Sequence, residues 1–301
     1  MSLTEEIQKL KKEKDAVILA HYYVPGEVQD IADYVGDSFY LSKIATELEH
    51  KVIVFAGVEF MGESAKILNP QKRVFMPDAT ADCPMAHMVD VKRIQEVREQ
   101  YPDAAVVCYI NSTAETKTYS DVCVTSSNAV KIVKNLPNHD IFFIPDQHLG
   151  SYVAEQVPEK HMILNDGYCP RHHVITAEQV KDAKAAHPDA LFLAHPECPK
   201  EVLDIADYIG STSGIIQYAA EQDAKEYIIG TVEGVFHELK KRCPGKQFYT
   251  VKQDQICVNM MKVTLEKVKK CLEEECNEVF ISEELRRKAM APLTRMLEMA
   301  K

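Results

Sequence analysis

Residues 16–38, AVILAHYYVPGEVQDIADYVGDS, and residues 190–212, ALFLAHPECPKEVLDIADYIGST, agree at 13 of 23 positions without a gap. A chain that repeats a phrase of this length is constrained to fold as repeated units. A third copy lies between them. Residues 104–126, AAVVCYINSTAETKTYSDVCVTS, keep the pattern more than the letters: an apolar run, a polar turn, then Asp121 ahead of Ser126 as Asp33 precedes Ser38 and Asp207 precedes Thr212. The copies are spaced 88 and 86 residues apart.

Each copy has the same anatomy. A helical pattern (LTEEIQKLKKEK, VKRIQEVREQYPDA, AEQVKDAKAAHPDA) leads into a short apolar strand (AVILAH, AVVCYI, LFLAHP). A second helix follows GDS, TSS or STS, where a Ser or Thr can act as N-cap. A second strand (VIVFAG, IFFIP, YIIG), more helix and a third strand (RVFMP, HMILN, QFYTV) complete the unit. Strands alternating with helices predict parallel sheets covered on both faces. The expected fold is α/β, with three pseudo-threefold-related αβα sandwich units around a central cavity. The predicted units are 1–86, 87–172 and 173–282. The tail adds helix, strand and helix, and its last helix, 283–301, is expected to join the first unit.

Composition narrows the function. With 46% hydrophobic and 27% charged residues the chain leaves no room for a long disordered tract. A net charge of −11 argues against nucleic acid or an anionic membrane as partner. No run of 18 apolar residues occurs, and the N-terminal MSLTEEIQKLKKEKD reads as a charged helix, so a cytoplasmic protein is expected. Nine cysteines without a secretion signal suggest thiols or metal ligands, and there is no C-x-x-C.

The repeat sorts these cysteines. Cys83, Cys169 and Cys257 each follow the third strand of a unit, 86 and 88 residues apart, so equivalent loops would carry three thiols to one axis. Three convergent thiolates can hold a 4Fe-4S cluster with one open iron, or a zinc ion with an open fourth position. Cys108, Cys123, Cys243, Cys271 and Cys276 read as small buried hydrophobes. Cys198, beside candidate site residues, is left open. The first strands end in polar pairs at i and i+2: His21 and Tyr23, Tyr109 and Asn111, His195 and Glu197. Ligands of parallel sheets bind beyond such carboxyl ends. Ser38, Ser126 and Thr212 fall at predicted helix starts, which offer free N–H groups to an anion.

The phrases AHYYVP, DIADYVGDS, GVEFMGESAKILNP, CPMA, YINSTAETK, TSSNAV, GYCP, HPECP, IGST and CVNMMK, in this order over nearly the whole chain, resemble the quinolinate synthase family of NAD biosynthesis. The chain resembles its short form, lacking an extra C-terminal C-x-x-C-x-x-C. The resemblance implies condensation of iminoaspartate with dihydroxyacetone phosphate to quinolinate, with a 4Fe-4S cluster, rather than zinc, on Cys83, Cys169 and Cys257 acting as Lewis acid. It implies substrate contacts at His21, Ser38, Tyr109, Ile110, Asn111, Ser126, His195, Pro196, Glu197 and Thr212. Tyr23, Tyr109, His195 and Glu197 are the candidate catalytic residues. L-aspartate oxidase or aspartate dehydrogenase is the expected functional partner. The rival readings are a three-thiolate zinc hydrolase or lyase and an iron-sulfur sensor or electron carrier. The second is disfavoured, because a carrier wants four protein ligands and no basic recognition helix is visible.

Overall fold

The computed structural model describes residues 2–301. Three sheets of four strands organise it, and every pairing within them is parallel. The first has the order β2-β1-β3-β4, from β1 (Ala16–His21), β2 (Tyr34–Gly36), β3 (Val52–Ala56) and β4 (Arg73–Phe75). The second repeats this order with β5 (Ala105–Tyr109), β6 (Val122–Val124), β7 (Asp140–Ile144) and β8 (His161–Leu164). The third does so with β9 (Leu191–Ala194), β10 (Tyr208–Ile209), β11 (Glu226–Gly230) and β12 (Gln247–Thr250). β1 and β5 are buried at every position, which is why they read as unbroken apolar runs.

Each unit has one strand more than its sequence pattern suggests. The expected polar turn contains a short helix (Gly26–Ile31, Ala114–Thr118 or Lys200–Leu203), and the short edge strand β2, β6 or β10 follows it. Two or three residues cannot display a strand's period of two. What fixes these edges is the repeated aspartate. Asp33, Asp121 and Asp207 each accept the backbone N–H of Ile18, Val106 or Phe192 at 2.8, 2.7 and 2.7 Å. Each also donates its own N–H to the carbonyl of that same residue. A cation from the preceding helix completes the set: Lys11 to Asp33, Arg98 to Asp121 and Lys184 to Asp207. The fixed part of DIADY is therefore a packing device.

A second threefold set was not evident from the letters. Lys72, Lys160 and Lys246 each donate to two carbonyls at or just beyond the C-terminal end of a helix: Ala45 and Leu48, Leu136 and Asn138, Ala219 and Gln222. An ammonium there satisfies otherwise orphaned carbonyls and opposes the negative end of the helix dipole.

The cores differ between units. The first two sheets share one continuous apolar core, which includes Val268, Leu272, Leu293 and Met296 of the tail. The third sheet has a separate cluster on each face, one around Ile215, Tyr227 and Leu239, the other around Phe192, Val202 and Ile228. The tail contains helices Leu265–Glu274 and Glu283–Met299, and in place of the expected strand there is an isolated antiparallel bridge from Glu278 to Phe75. The Leu265–Glu274 helix lies against the Leu3–Glu13 helix and β3, whereas the last helix lies against β6, the Ala114–Thr118 helix and the Glu59–Leu68 helix. The chain beyond Cys257 thus ties the first unit to the second. Among the described residues no helix is long and apolar enough to cross a membrane.

Candidate active site

The three units meet at a cavity beyond the carboxyl ends of their strands. Its wall includes His21 and Tyr23 after β1, Tyr109 and Asn111 after β5, and His195 and Glu197 after β9. Ser38, Ser126 and Thr212 line it too, as do Cys83, Cys169 and Cys257. Ile110 and Pro196 are buried between their wall neighbours and are not part of the wall; the Ile110 N–H donates to Val124 O.

The hydroxyl set departs from expectation in a useful way. Asp37 caps the helix that begins at Ser38, accepting from Tyr40 N, and Ser211 caps the helix that begins at Thr212, accepting from Gly214 N. Ser38 and Thr212 are first helical residues, and their hydroxyls are not consumed in capping. Ser126 is not at a helix start: its helix opens at Ala129, and Ser126 lies in the turn before it.

The polar pairs turn sharply instead of running on as strand. Tyr23 N donates to His21 Nδ1 at 3.2 Å and Glu197 N donates to His195 Nδ1 at 3.3 Å, the same contact in two units. Each imidazole therefore carries its proton on Nε2. That of His195 points to Ser126 Oγ at 3.2 Å, and that of His21 is left for a ligand. Burial lowers both rings' pKa, His21 to about 3 and His195 to about 4, so they are neutral donors at pH 7.

A hydrogen-bonded chain crosses the cavity wall. Tyr23 Oη lies 2.7 Å from Thr212 Oγ1 and 2.6 Å from Thr231 Oγ1, and Thr231 Oγ1 lies 2.8 Å from His172 Nε2. His172 Nδ1 stands 2.7 Å from Glu197 Oε2, and the Tyr109 hydroxyl donates to Glu197 Oε1 at 2.8 Å. Each hydroxyl has one proton to give, and one direction satisfies all of them: Thr212 to Tyr23, Tyr23 to Thr231, Thr231 to His172, His172 to Glu197. Burial alone would push the Glu197 carboxyl up, but His172 and the Tyr109 hydroxyl, which donate to its two oxygens, outweigh it and hold the group ionised, below the usual carboxylate range. Burial and the Glu197 charge raise Tyr109 and Tyr23, which stay phenols.

The thiols suit a metal centre. All nine cysteines are free, and Cys83, Cys169 and Cys257 are three partly accessible ones on a single wall. Burial pushes all three up, which disfavours the thiolate until a cation replaces the proton. A second donor group overlaps them: Cys169 Sγ, His172 and a Glu197 oxygen offer atoms within 4.8 Å of one another, a possible metal site. The 2.7 Å between His172 Nδ1 and Glu197 Oε2 is a hydrogen-bond distance, shorter than the separation of two ligands on one ion, so the pair is organised for proton sharing. The Asn111 amide oxygen is buried on this wall without a partner, the mark of a group that waits for a ligand.

Reading the sequence by repeat missed His172, Thr231 and Arg171, which have no counterparts in the other copies. A signal was present for His172: it stands three residues after Cys169, in GYCPRHH.

The family model described as Quinolinate synthetase A protein matches residues 5–298. The chain is 55% identical over 298 residues to the quinolinate synthase of Fusobacterium nucleatum subsp. nucleatum, covering 99% of both chains. It is 51% identical to those of Clostridioides difficile (strain 630) and Caldicellulosiruptor saccharolyticus, each over 298 residues, 99% of this chain and 98% of the relative. A match that runs almost end to end, through the three thiols and all three polar pairs, makes this chain a member of the quinolinate synthetase A protein family.

Proposed function

We propose that the chain is a quinolinate synthase, condensing iminoaspartate with dihydroxyacetone phosphate to give quinolinate, one phosphate and two waters in NAD biosynthesis. The observation that carries this reading is the meeting of three unit-equivalent thiols and the Glu197 network on one wall. Cys83, Cys169 and Cys257 would hold a 4Fe-4S cluster. When bound, it supplies an open iron that acts as a Lewis acid toward substrate nitrogen and oxygen atoms.

The chain's own groups divide the remaining work. Asn111, with its unpaired amide oxygen, and the hydroxyls of Ser38 and Ser126 bind and orient the substrates, while Thr212, whose hydroxyl proton goes to Tyr23, contributes through the start of its helix. The helices that start at Ser38 and Thr212 add the positive ends of their dipoles for substrate carboxylates. His21 has a neutral Nε2–H to steady a substrate oxygen without adding charge, and His195 gives its Nε2–H to Ser126 Oγ, leaving the serine's own proton for the ligand. Enamine formation, isomerisation and dehydration each move a proton. Glu197, ionised and bonded to His172, is an acceptor within 4.8 Å of Cys169 Sγ, and the Tyr23–Thr231–His172 chain connects it to Thr212. Tyr109 holds the other Glu197 oxygen and closes that side. Ile110 and Pro196 contribute through their backbone, setting the angle between their neighbours. An unstable imine needs a supplier, and L-aspartate oxidase or aspartate dehydrogenase would be the functional partner.

The test is an anaerobic assay for quinolinate from the two substrates, with Glu197→Gln beside the wild type. The variant should keep the cluster's absorption spectrum and lose turnover by at least 100-fold. Wild-type turnover in Glu197→Gln would remove that residue from the mechanism.

A further inference from the structure

Arg171 is the one lysine or arginine on the cavity wall among the described residues. It is also the one arginine with nothing to hold. Arg73, Arg93, Arg98, Arg242, Arg286 and Arg287 are all paired with carboxylates, and Arg295 donates to Asp121 O. The wall carboxylates are already engaged: Asp37 by Ser213, Asp82 by His87, Glu197 by His172 and Tyr109. An arginine left unpaired beside occupied acids has its counter-ion in the ligand.

Its place narrows which ligand group that is. Arg171 follows Cys169 by two residues and lines the same cavity as Cys257. Like Ser38 and Ser126 it is partly exposed, whereas Glu197, His195 and Thr212 are buried, so its guanidinium is within reach of water. The planar guanidinium fork matches a phosphate's oxygens two at a time. Of the groups the two substrates carry, phosphate has the highest charge, and it alone leaves the site as a free ion. We propose that Arg171 forms the phosphate subsite, taking the phosphate of the triose phosphate on entry and releasing it at the mouth as inorganic phosphate. This rests on the reading above that one substrate is a triose phosphate. Arg171 is thus a specificity-determining residue, and the substrate carboxylates belong to Ser38, Ser126 and the helix starts at Ser38 and Thr212.

The experiment uses anaerobically purified holoenzyme as wild type, Arg171→Gln and Arg171→Lys. Binding of inorganic phosphate is measured by calorimetry, and KM is measured for each substrate in turn. Arg171→Gln should weaken phosphate binding and raise the KM for dihydroxyacetone phosphate by about tenfold or more, the loss expected for a charge-assisted bidentate contact. The KM for iminoaspartate should stay within twofold. Arg171→Lys keeps the charge without the fork and should fall between, which preserves the test if the glutamine variant is unstable. Equal phosphate affinity in all three proteins, or a rise confined to the iminoaspartate KM, overturns the subsite. Phosphate binding that depends on Arg171 in a wild type making no quinolinate would uphold the subsite and remove the reading of the reaction.

Discussion

The first two units and the third are held in place by different forces. Units one and two share a single apolar core, and the chain after Cys257 crosses from one to the other. The third unit has two smaller clusters, one taking in Tyr22 of the first unit and the other packed by Tyr152 of the second, and polar contacts make up much of the rest of the seam. Tyr109 to Glu197 and His195 to Ser126 join it to the second unit; Tyr23 to Thr212 and Thr231, and Ser213 to Asp37, join it to the first. Most of these contacts are the cavity wall itself. A seam that buries fewer apolar residues than the shared core is the weaker of the two joints. Gly234 shows how close the seam is: a Cβ there would stand 2.7 Å from Tyr23 Cα and 2.8 Å from its carbonyl oxygen.

Four measurements break or sharpen this contrast. The largest effect is expected for Phe55→Ala, which empties a fully packed position of the shared core. It should cost about 3–5 kcal/mol in denaturant unfolding and lower hydrogen-exchange protection in the first two units together. Loss confined to the first unit would show that the two cores are separable. Tyr23→Phe removes the hydroxyl that bridges Thr212 and Thr231 across the seam. It should lower kcat about 100-fold, with the denaturation midpoint of the shared core unchanged.

Acid should act on the seam next. His21 and His195 titrate at about 3 and 4 in the folded protein and near 6.5 when unfolded. The unfolded chain therefore binds more protons below pH 6.5, so the stability these rings confer is present above that pH and is lost as pH falls toward 4 and 3. With both rings contributing, the slope approaches about 2.7 kcal/mol per pH unit. Hydrogen exchange at pH 5 should show the third unit opening while the shared core stays protected. Ser213→Ala removes one polar link to Asp37 and should cost about 1 kcal/mol, seen as faster exchange in the Thr212–Glu221 helix alone.

Much of this was legible before the structure. A period measured on DIADY selected the three thiols, the three strand-end pairs and the wall hydroxyls, because threefold packing brings equivalent positions together. What the period could not deliver lies outside the repeat. His172, Thr231 and Arg171 serve only one unit, so equivalence is silent about them. The short edge strands were hidden because two or three residues are too few to show an alternation, and the aspartate bond that helps to fix each of them leaves no periodic trace. The N-cap falls one residue before Ser38 and Thr212, at Asp37 and Ser211, and two residues after Ser126, at Asn128, because Asp, Ser and Asn can all take that position. In place of the tail's expected strand a single bridge joins Glu278 to Phe75, too short a pairing to make a strand.

The central claim is that three distant units deliver three thiols to one metal centre. Iron and acid-labile sulfide, counted per chain in anaerobically purified protein, test it most directly, with Cys83→Ala, Cys169→Ala, Cys257→Ala and the buried Cys243→Ala as the comparison set. About four irons and four sulfides are expected in the wild type and in Cys243→Ala, and loss of the intact cluster in each of the other three. Zinc without sulfide in the wild type, or a complete cluster surviving in any of those three, would contradict the account.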